Sequence, residues 1–258
     1  MKSNGKIIVT GGAGFIGSHL VSRLIELSHQ VIVIDNFSTG KIENLENLRS
    51  KVKIIKVDVN DLEKLKKILK KEKIDYIYHI AALPRIERSI DDPVETHKAN
   101  VDGVFNVLQL AKFLGVKRVI YTSSSSVYGM QRENPLREDF KPNPQNPYAA
   151  QKFIGEIYCE IYSKIFELKI TTLRLFNVYG SRMEGAGAYQ LVFTKWLEQK
   201  KQSLPLTIYG DGKQTRDFTH VSDTVSALIK AMKFNQVRAH EVINIGSGRQ
   251  ISVKYLAS

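Results

Sequence analysis

Cysteine and long apolar segments are scarce in this sequence. Its single cysteine, Cys159, excludes a disulfide framework within the chain. No apolar run reaches the ~18 residues of a membrane-spanning helix, and no apolar signal-peptide core occurs near the N-terminus. We therefore expect a soluble, cytoplasmic protein that does not bind membranes. Zinc-ligand spacings are also absent, so we expect no bound metal.

The net charge of +12 and the pI of about 9.6 raise the question of a nucleic-acid partner. Much of the positive charge lies in the segment 64–73, where lysines alternate with leucine and isoleucine at helical spacing. This pattern predicts an amphipathic helix with a solvated basic face. No RNA-binding aromatic motif or arginine-rich arm accompanies it. We therefore predict no nucleic-acid binding and expect the positive field to attract an anionic nucleotide substrate.

A glycine-rich segment follows the first apolar stretch of the chain. Lys6–Thr10 has the pattern of a short strand, the next seven residues read GGAGFIG, and leucines follow at helical spacing. In such a strand, turn and helix, Gly11 permits the tight turn and Gly14 lets the backbone approach a pyrophosphate. Gly17 lets the helix pack closely on the strand. The segment therefore predicts a dinucleotide site.

A second apolar strand, Val31–Ile34, ends at Asp35, about twenty residues after the glycines. A carboxylate at this position binds both hydroxyls of the adenosine ribose and repels a 2′-phosphate. We therefore expect NAD rather than NADP as the cofactor.

Strand and helix patterns alternate through the first two-thirds of the chain, which is typical of a parallel sheet covered by helices on both faces. We predict an α/β fold with a Rossmann-type doubly wound parallel sheet, in which residues 1–176 form an NAD-binding domain. The alternation loosens over residues 177–258. We expect this part to form a smaller, loop-rich substrate-binding lobe, incomplete at its C-terminus, with some segments returning to the first domain.

Tyr148 and Lys152 are one helical turn apart and follow a run of four serines at 123–126. A phenol with an unperturbed pKa of about 10 is a poor base near neutrality, and a nearby ammonium group stabilises its phenolate. Such pairs are also common on solvated helix faces. The cofactor motif near the N-terminus favours the catalytic interpretation.

Eight motifs in this chain resemble, in identity and order, those of the extended short-chain dehydrogenase/reductase superfamily. Within it, the NAD-dependent nucleotide-sugar epimerases of the UDP-glucose 4-epimerase type are most similar, and the resemblance covers essentially the whole chain. The motifs are TGGAGFIG at 10–17, DNFSTG at 35–40, DV at 58–59, AAL at 81–83, SSSSVYG at 123–129, YAAQK at 148–152, RLFNVYG at 174–180 and GDGKQTRDF at 210–218.

The resemblance implies roles for individual residues. Tyr148 would be the catalytic base, Lys152 would bind the nicotinamide ribose and lower the tyrosine pKa, and Ser124 would hydrogen-bond the reacting hydroxyl. The implied NAD-binding residues are Gly11, Gly14, Phe15, Ile16, Gly17, Asp35, Asn36, Ser38, Thr39, Gly40, Asp58, Val59, Ala81, Ala82, Leu83, Asn100, Tyr148 and Lys152.

A second implied set binds the substrate. Asn177 and Arg216 would hold the diphosphate, although Asn177 could instead cap a turn and Arg216 could pair with a neighbouring aspartate, Asp211 or Asp217. The remaining implied pocket residues are Ser124, Ser125, Leu191, Val192, Thr207 and Tyr209. Two histidines, His79 and His220, are interpreted as core residues rather than bases.

The activity implied is NAD-dependent epimerisation at C4 of a UDP-hexose, through a transient 4-keto sugar. The substrate would be UDP-glucose, UDP-galactose or an N-acetylhexosamine equivalent. In the serine loop, related 4,6-dehydratases carry an acidic pair and glucuronate decarboxylases a glutamate before Val-Tyr-Gly, and here these positions are serine. Expulsion of water or CO₂ is therefore not expected.

Two alternatives stay open. A UDP-glucuronate 4-epimerase or related nucleotide-sugar reductase is one, because Arg85 and Arg88 could meet a carboxylate, although both could instead pair with Glu87 or Asp91. A non-catalytic NAD-binding scaffold or regulatory protein is the other. The presence of serine, tyrosine and lysine at the catalytic positions counts against it.

The resemblance also bears on assembly and on the C-terminus. Predicted helices at about 93–114 and 148–167 have apolar residues available for another surface, and the resemblance implies a homodimer through them. Relatives continue past position 258 with a segment that supplies another arginine and part of a substrate lid. We therefore expect weaker substrate binding or a more exposed site.

Overall fold

The computed structural model describes residues 5–183, 192–208, 210–234 and 239–257. Its strands are β1 (Lys6–Thr10), β2 (Gln30–Asp35), β3 (Val52–Lys56), β4 (Tyr76–His79), β5 (Arg118–Ser124), β6 (Ile170–Leu175), β7 (Asn177–Tyr179), β8 (Thr215–Arg216), β9 (Phe218–His220), β10 (His240–Ile245) and β11 (Ile251–Ser252). Its α-helices are α1 (Phe15–Glu26), α2 (Leu62–Leu69), α3 (Ile86–Asp91), α4 (Pro93–His97), α5 (Gly103–Leu114), α6 (Pro147–Phe166), α7 (Val192–Lys201), α8 (Val221–Lys233) and α9 (Val253–Ala257).

The central sheet has seven strands in the order β10, β6, β5, β4, β1, β2, β3. Every neighbouring pair in it is parallel. Two further pairs are small: β7 pairs with β9 in parallel, and β8 pairs with β11 antiparallel. The predicted doubly wound parallel sheet is confirmed.

Helices cover both faces of this sheet because both faces are apolar. On one face, α1 and α8 bury leucines such as Leu20, Leu24 and Leu228 against β1 and β2. On the other face, α2, α5 and α6 bury a second core that includes Leu65 and Tyr162. Each fully buried side chain of this kind stabilises the fold by about 1.5–3 kcal/mol. The parallel strand ends are thereby held rigidly along one edge.

The predicted helix over 93–114 is interrupted. It consists of α4, a π-helical turn at Lys98–Asp102 and then α5. Asp92 starts α4 by accepting a hydrogen bond from the Glu95 amide at 2.8 Å. A π-turn inserts one residue into the helical register and is frequent at functional sites. Here it carries Asn100.

The C-terminal segment begins with a strand. Ile251 and Ser252 form β11, because they pair with Arg216 and Thr215 of β8, and α9 begins at Val253. Between β2 and β3, a 3₁₀ helix at Ile42–Lys51 buries Leu45.

The division at residues 176 and 177 stays a prediction. Two elements after it, α8 and β10, lie in the layers of the central sheet: α8 packs on α1, and β10 pairs with β6 at the sheet edge. Within the described ranges, every helix is too short or too polar to cross a bilayer. The cytoplasmic location also stays a prediction.

Candidate active site

A cleft of about 2140 Å³ runs along the carboxyl ends of the central strands. This edge is where open α/β sheets bind ligands. The structure brings these residues of the predicted cofactor set together on its wall: Gly11, Gly14, Phe15, Ile16, Gly17, Asp35, Asn36, Ser38, Thr39, Gly40, Asp58, Val59, Ala81, Ala82, Leu83, Tyr148 and Lys152.

The glycine turn forms a cradle that side chains would fill. Gly11 has φ +69°, and a Cβ there would lie 2.6 Å from the Ala81 amide nitrogen. A Cβ on Gly17 would overlap the Gly11 carbonyl oxygen. Gly14 is the N-cap of α1, where no side chain caps the helix and the first turn holds no acid. The first amides of α1 are therefore available to an anion, which fits a dinucleotide pyrophosphate.

Asp35 is a buried carboxylate fixed by backbone donors. Its oxygens accept hydrogen bonds from the Ala13 amide at 2.9 Å and the Phe37 amide at 2.8 Å. Burial raises its pKa, and these two hydrogen bonds oppose that rise. Each oxygen keeps a lone pair for a further donor. The arrangement fits the predicted contact with ribose hydroxyls.

Neighbouring groups on this side of the cleft are also held in place. Asn36 donates to the Asp58 carboxylate at 2.7 Å, and its side-chain oxygen accepts from the Ser38 amide at 2.9 Å. The carboxylate of Asp58 also accepts from the Asn60 amide at 2.8 Å. These contacts join the ends of β2 and β3 into one polar wall.

Ser124, Tyr148 and Lys152 line the same cleft. The Ser124 hydroxyl acts on the Tyr148 phenol and lowers its pKa. The Ser124 oxygen accepts from the Ser126 hydroxyl at 2.9 Å and the Ser126 amide at 3.2 Å. Because the Ser124 oxygen accepts from this neighbour, its own proton is free to point towards the phenol.

The pKa of Tyr148 runs opposite to the expectation. Burial of the phenol raises this pKa, and the Ser124 hydroxyl and the positive charge of Arg85 only partly oppose the rise. Lys152 directs its ammonium group to the Thr122 carbonyl at 2.9 Å, 6.0 Å from the centre of the Tyr148 ring. Burial lowers the pKa of Lys152 to about 8. Lys152 thus lies beside the phenol, but it is not among the groups that lower the pKa of Tyr148.

The N-terminus of α6 fixes where Tyr148 lies. Asn146 caps this helix by accepting from the Ala149 amide at 2.9 Å, and Pro147 occupies the first turn. The Tyr148 amide donates to the Ser89 hydroxyl of α3 at 3.0 Å. Two elements therefore hold the backbone of the predicted base.

A buried ionic network lies behind the serine loop. Glu156, one turn after Lys152, accepts from Arg174 at 2.7 and 3.0 Å and from the Ser123 hydroxyl at 2.5 Å. The Arg174 guanidinium lies 4.6 Å from the Tyr128 ring centre. The network joins α6, β5 and β6, and so fixes the strand end that carries Ser124.

Asn100 is buried, and its predicted contact with the cofactor stays a prediction. It accepts from the Leu83 amide at 2.8 Å and donates to the Leu83 carbonyl at 3.0 Å and to Gln151 at 2.8 Å. Its amide hydrogens are thus fully used. Asn100 holds the segment that lines the cleft.

The predicted substrate residues Ser124, Ser125, Asn177, Thr207 and Arg216 line the other part of the same cleft. Thr207 is held by α7, because its carbonyl accepts from Trp196 at 2.8 Å and its hydroxyl from Gln199 at 2.7 Å.

Leu191 and Tyr209, two further predicted substrate residues, lie outside the described residues. Val192 begins α7, and its side chain also lies outside the described part of the chain.

Asp217 organises the loops around Arg216 instead of pairing with it. Its carboxylate accepts from the Ser247 and Gly248 amides, each at 2.8 Å, and its carbonyl accepts from Asn177 at 2.9 Å. Asp211 pairs with Lys213 at 3.5 Å. Arg216 therefore forms neither of the alternative ion pairs and presents its guanidinium at the cleft.

The two histidines differ from each other. His79 is buried, bonds the Thr10 hydroxyl at 2.8 Å, and has its pKa lowered to about 3 by burial and by the charge of Lys152. It is a neutral core residue, as expected. The interpretation of His220 was wrong, because this residue is exposed and caps α8 by accepting from the Ser222 amide at 3.3 Å.

Two arginines on the cleft wall were not fully assigned from the sequence: Arg249 was not predicted, and the role of Arg85 was left open. Arg249 lies in the loop that follows β10, and the rule that ligands bind at the carboxyl ends of parallel strands could have found it. Arg85 was considered only for a carboxylate, and its charge also acts on Tyr148.

Comparison with known proteins gives the same picture. A UDP-glucose 4-epimerase of Thermotoga maritima, solved with UDP-glucose, is 36% identical, with a TM-score of 0.91 over 97% of this chain and 80% of that one. A UDP-glucuronic acid 4-epimerase of Bacillus cereus, solved with UDP-glucuronic acid and NAD, is 36% identical, with a TM-score of 0.87 over 97% and 80% of the two chains. A UDP-N-acetyl-alpha-D-glucosaminuronate decarboxylase of Bacillus cytotoxicus is 36% identical over 98% of this chain and 78% of its own length.

The model of one protein family matches residues 7–246, which include the glycine cradle, the serine loop, Tyr148, Lys152 and Arg216. This range contains nearly the whole cleft. The chain belongs to the NAD dependent epimerase/dehydratase family.

Proposed function

We propose that this protein catalyses the NAD-dependent epimerisation of a UDP-linked hexose at C4. One observation carries the proposal: Ser124, Tyr148, the glycine cradle and the exposed Arg216 all line one cleft. A cofactor and a diphosphate-linked sugar can therefore approach the same phenol. The UDP-sugars in the solved relatives support a uridine nucleotide.

The proton chemistry belongs to Tyr148 and Ser124. The Tyr148 phenolate removes the proton from the sugar 4-hydroxyl, and Ser124 donates a hydrogen bond to the same oxygen as its charge changes. The glycine cradle and Asp35 would hold NAD, which would supply the acceptor for the hydride at C4 and its later donor. The 4-keto sugar presents its other face before the return. Tyr148 then returns the proton to the sugar oxygen, so the overall reaction gains and loses no proton or electron.

Lys152 supports this cycle from the cleft wall. Its ammonium group is anchored on the Thr122 carbonyl and lies beside the phenol. From there it can donate to a ribose hydroxyl of the cofactor and keep the reacting groups aligned. Proper alignment of this kind can supply a large share of a rate enhancement.

The serine loop favours epimerisation over loss of CO₂ or water. Those reactions need an additional acid or base beside the sugar. Ser125 and Ser126 occupy the loop, and the hydroxyl of Ser126 is bonded to Ser124. Neither side chain is a carboxylate. A decarboxylase activity, which one relative has, is therefore not proposed.

Replacement of Tyr148 with phenylalanine tests the proposal. Epimerisation of UDP-glucose, UDP-N-acetylglucosamine and UDP-glucuronate, followed by NMR of the products, should fall by about 10²–10⁴-fold. NAD affinity should stay similar. Tyr158→Phe is the matched control, because this tyrosine on α6 packs on Phe105 at 5.5 Å. Near wild-type turnover in Tyr148→Phe would refute the proposal.

We also propose that two chains associate through α5 and α6. Ile157, Ile161 and Ile165 form an exposed apolar row at helical spacing, and Phe113 of α5 is 51% exposed. Light scattering should give twice the chain mass of 29.2 kDa. Ile161→Asp should return the protein to a monomer, whereas a monomeric wild-type protein would contradict the proposal.

A further inference from the structure

Ser126 lies outside the predicted catalytic set, but it contacts that set directly. It is half-buried and lines the same cleft as Ser124 and Tyr148. Its hydroxyl donates to the Ser124 oxygen at 2.9 Å, and its amide donates to the same oxygen at 3.2 Å. Two donors of one residue therefore converge on a single oxygen of the predicted site.

These two contacts occupy the accepting capacity of Ser124. A serine hydroxyl has one proton to donate and two lone pairs that accept. Because Ser126 fills both lone pairs, the single Ser124 proton is left for another acceptor. The Ser124 hydroxyl acts on the Tyr148 phenol and opposes the effect of burial on its pKa. A phenolate oxygen has no proton, so Ser124 can bond to it only as the donor.

The turn that carries Ser126 is anchored in the core. Ser124 is the N-cap of a 3₁₀ helix at Ser125–Tyr128, and its side chain accepts from the Ser126 amide there. The next two residues, Val127 and Tyr128, are fully buried. The backbone contact alone thus caps the turn. The hydroxyl contact is additional, since it joins the two side chains.

We propose that Ser126 is a positioning residue for Ser124, and that its hydroxyl keeps the Ser124 proton directed at the Tyr148 oxygen and at the reacting sugar oxygen. This inference rests on the proposed function and adds a residue to its site. A hydroxyl that accepts a hydrogen bond also donates a stronger one, because successive bonds polarise each other. Turnover therefore depends on the Ser126 hydroxyl although it acts only through Ser124.

The first measurement compares two replacements of Ser126. Ser126→Ala keeps the amide donor and removes the hydroxyl, so kcat for the epimerised UDP-sugar should fall by roughly 5–10-fold, the equivalent of one neutral hydrogen bond. KM and NAD affinity should stay at wild-type values. Ser126→Thr keeps a hydroxyl and should restore most of kcat. An unchanged kcat in Ser126→Ala, or a raised KM at unchanged kcat, would overturn the proposal.

A matched control addresses the loss of a serine hydroxyl as such. Ser22 of α1 donates its hydroxyl to the Ser18 carbonyl at 2.9 Å, and it is half-buried like Ser126. Ser22→Ala should therefore leave kcat at the wild-type value. An equal loss of kcat in Ser22→Ala and Ser126→Ala would contradict a specific action on Ser124.

A double-mutant cycle tests whether Ser126 acts through Ser124. Ser124→Ala should lower kcat more than Ser126→Ala, because it removes the donor itself. In the Ser124→Ala background, Ser126→Ala should lower kcat no further, since residues that act as one unit are not additive. Effects that multiply would show that the two serines act independently, and the positioning role would be refuted.

A spectroscopic measurement separates this proposal from the proposed function. In protein labelled with ¹³C at the tyrosine Cζ, the Tyr148 resonance is identified by its loss in Tyr148→Phe, and no turnover is needed. Ser126→Ala should shift this resonance in the same direction as Ser124→Ala, and Ser22→Ala should leave it in place. Absence of epimerisation with all sugars would refute the function, and the shift would still decide the role of Ser126. An unmoved resonance in Ser126→Ala would refute that role.

Discussion

The two halves of the cleft are built differently. The cofactor half lies on the ends of long parallel strands, and its polar groups are held by buried partners such as the Glu156–Arg174 pair, of which each side chain is 4% exposed. The substrate half lies on two-stranded pieces, and Arg216 is exposed with the Thr215 carbonyl as its hydrogen-bond acceptor at 2.8 Å.

This difference separates chemistry from recognition. The cofactor half must hold Ser124, Tyr148 and Lys152 within tight limits, because a small displacement of reacting groups is costly. The substrate half needs a charge on an adaptable support. Mutations in the first half should therefore change stability and turnover together, and mutations in the second should reduce mainly substrate affinity.

The largest effect is expected at Glu156. Glu156→Gln leaves the Arg174 charge buried without its counter-charge and should cost about 3–5 kcal/mol of unfolding free energy. Urea denaturation measures this cost. Glu160→Gln is the control on the same helix, where an exposed pair with Lys164 contributes about 0.3–0.5 kcal/mol. Equal effects of the two changes would contradict the idea that the cofactor half depends on its buried network.

Lys152 is expected to lower the stability of the protein, although the cofactor half needs it for function. Burial lowers its folded pKa from 10.5 to about 8, so the charged form is disfavoured only in the folded state. At neutral pH, Lys152→Met should therefore be more stable than the wild-type protein by about 2–3 kcal/mol, although inactive.

The advantage of Lys152→Met depends on pH. Between about pH 8 and 10.5 the folded protein loses the lysine proton before the unfolded chain does, so wild-type stability rises relative to the variant. Urea denaturation at neutral pH and at about pH 10 should show the difference shrinking. Lys164→Met, at an exposed pair, should show no such trend, and a constant difference for Lys152→Met would refute the burial argument.

The same contrast explains what the sequence could predict. Gly11, Gly17 and Asp35 could be assigned because tight turns and strand ends have local sequence signatures. The hydrogen bonds of Asn100 could not be predicted, because its partners, Leu83 and Gln151, are distant in sequence and meet it only in the folded protein.

The pKa of Tyr148 also could not be predicted from the sequence. The Tyr148 and Lys152 spacing predicted a lowered tyrosine pKa, but burial dominates and raises it. Desolvation depends on every element packed around the phenol, which spacing along one helix does not report. Arg249 follows the carboxyl end of β10, so the strand-end rule finds it only once β10 is placed beside β6 in the sheet.

The smallest of these effects is expected in the substrate half. Arg216→Gln removes a charge-assisted contact to the diphosphate and should raise KM by roughly 10–100-fold. NAD affinity and unfolding free energy should stay at wild-type values, because Arg216 is exposed and forms no ion pair among the described residues. Steady-state kinetics measure KM, calorimetry measures NAD affinity and urea denaturation measures the unfolding free energy. Lys213→Gln is the control on the same turn, where the side chain is 84% exposed. A large loss of stability in Arg216→Gln would show that this half is also held by its polar contacts, and the contrast between the two halves would disappear.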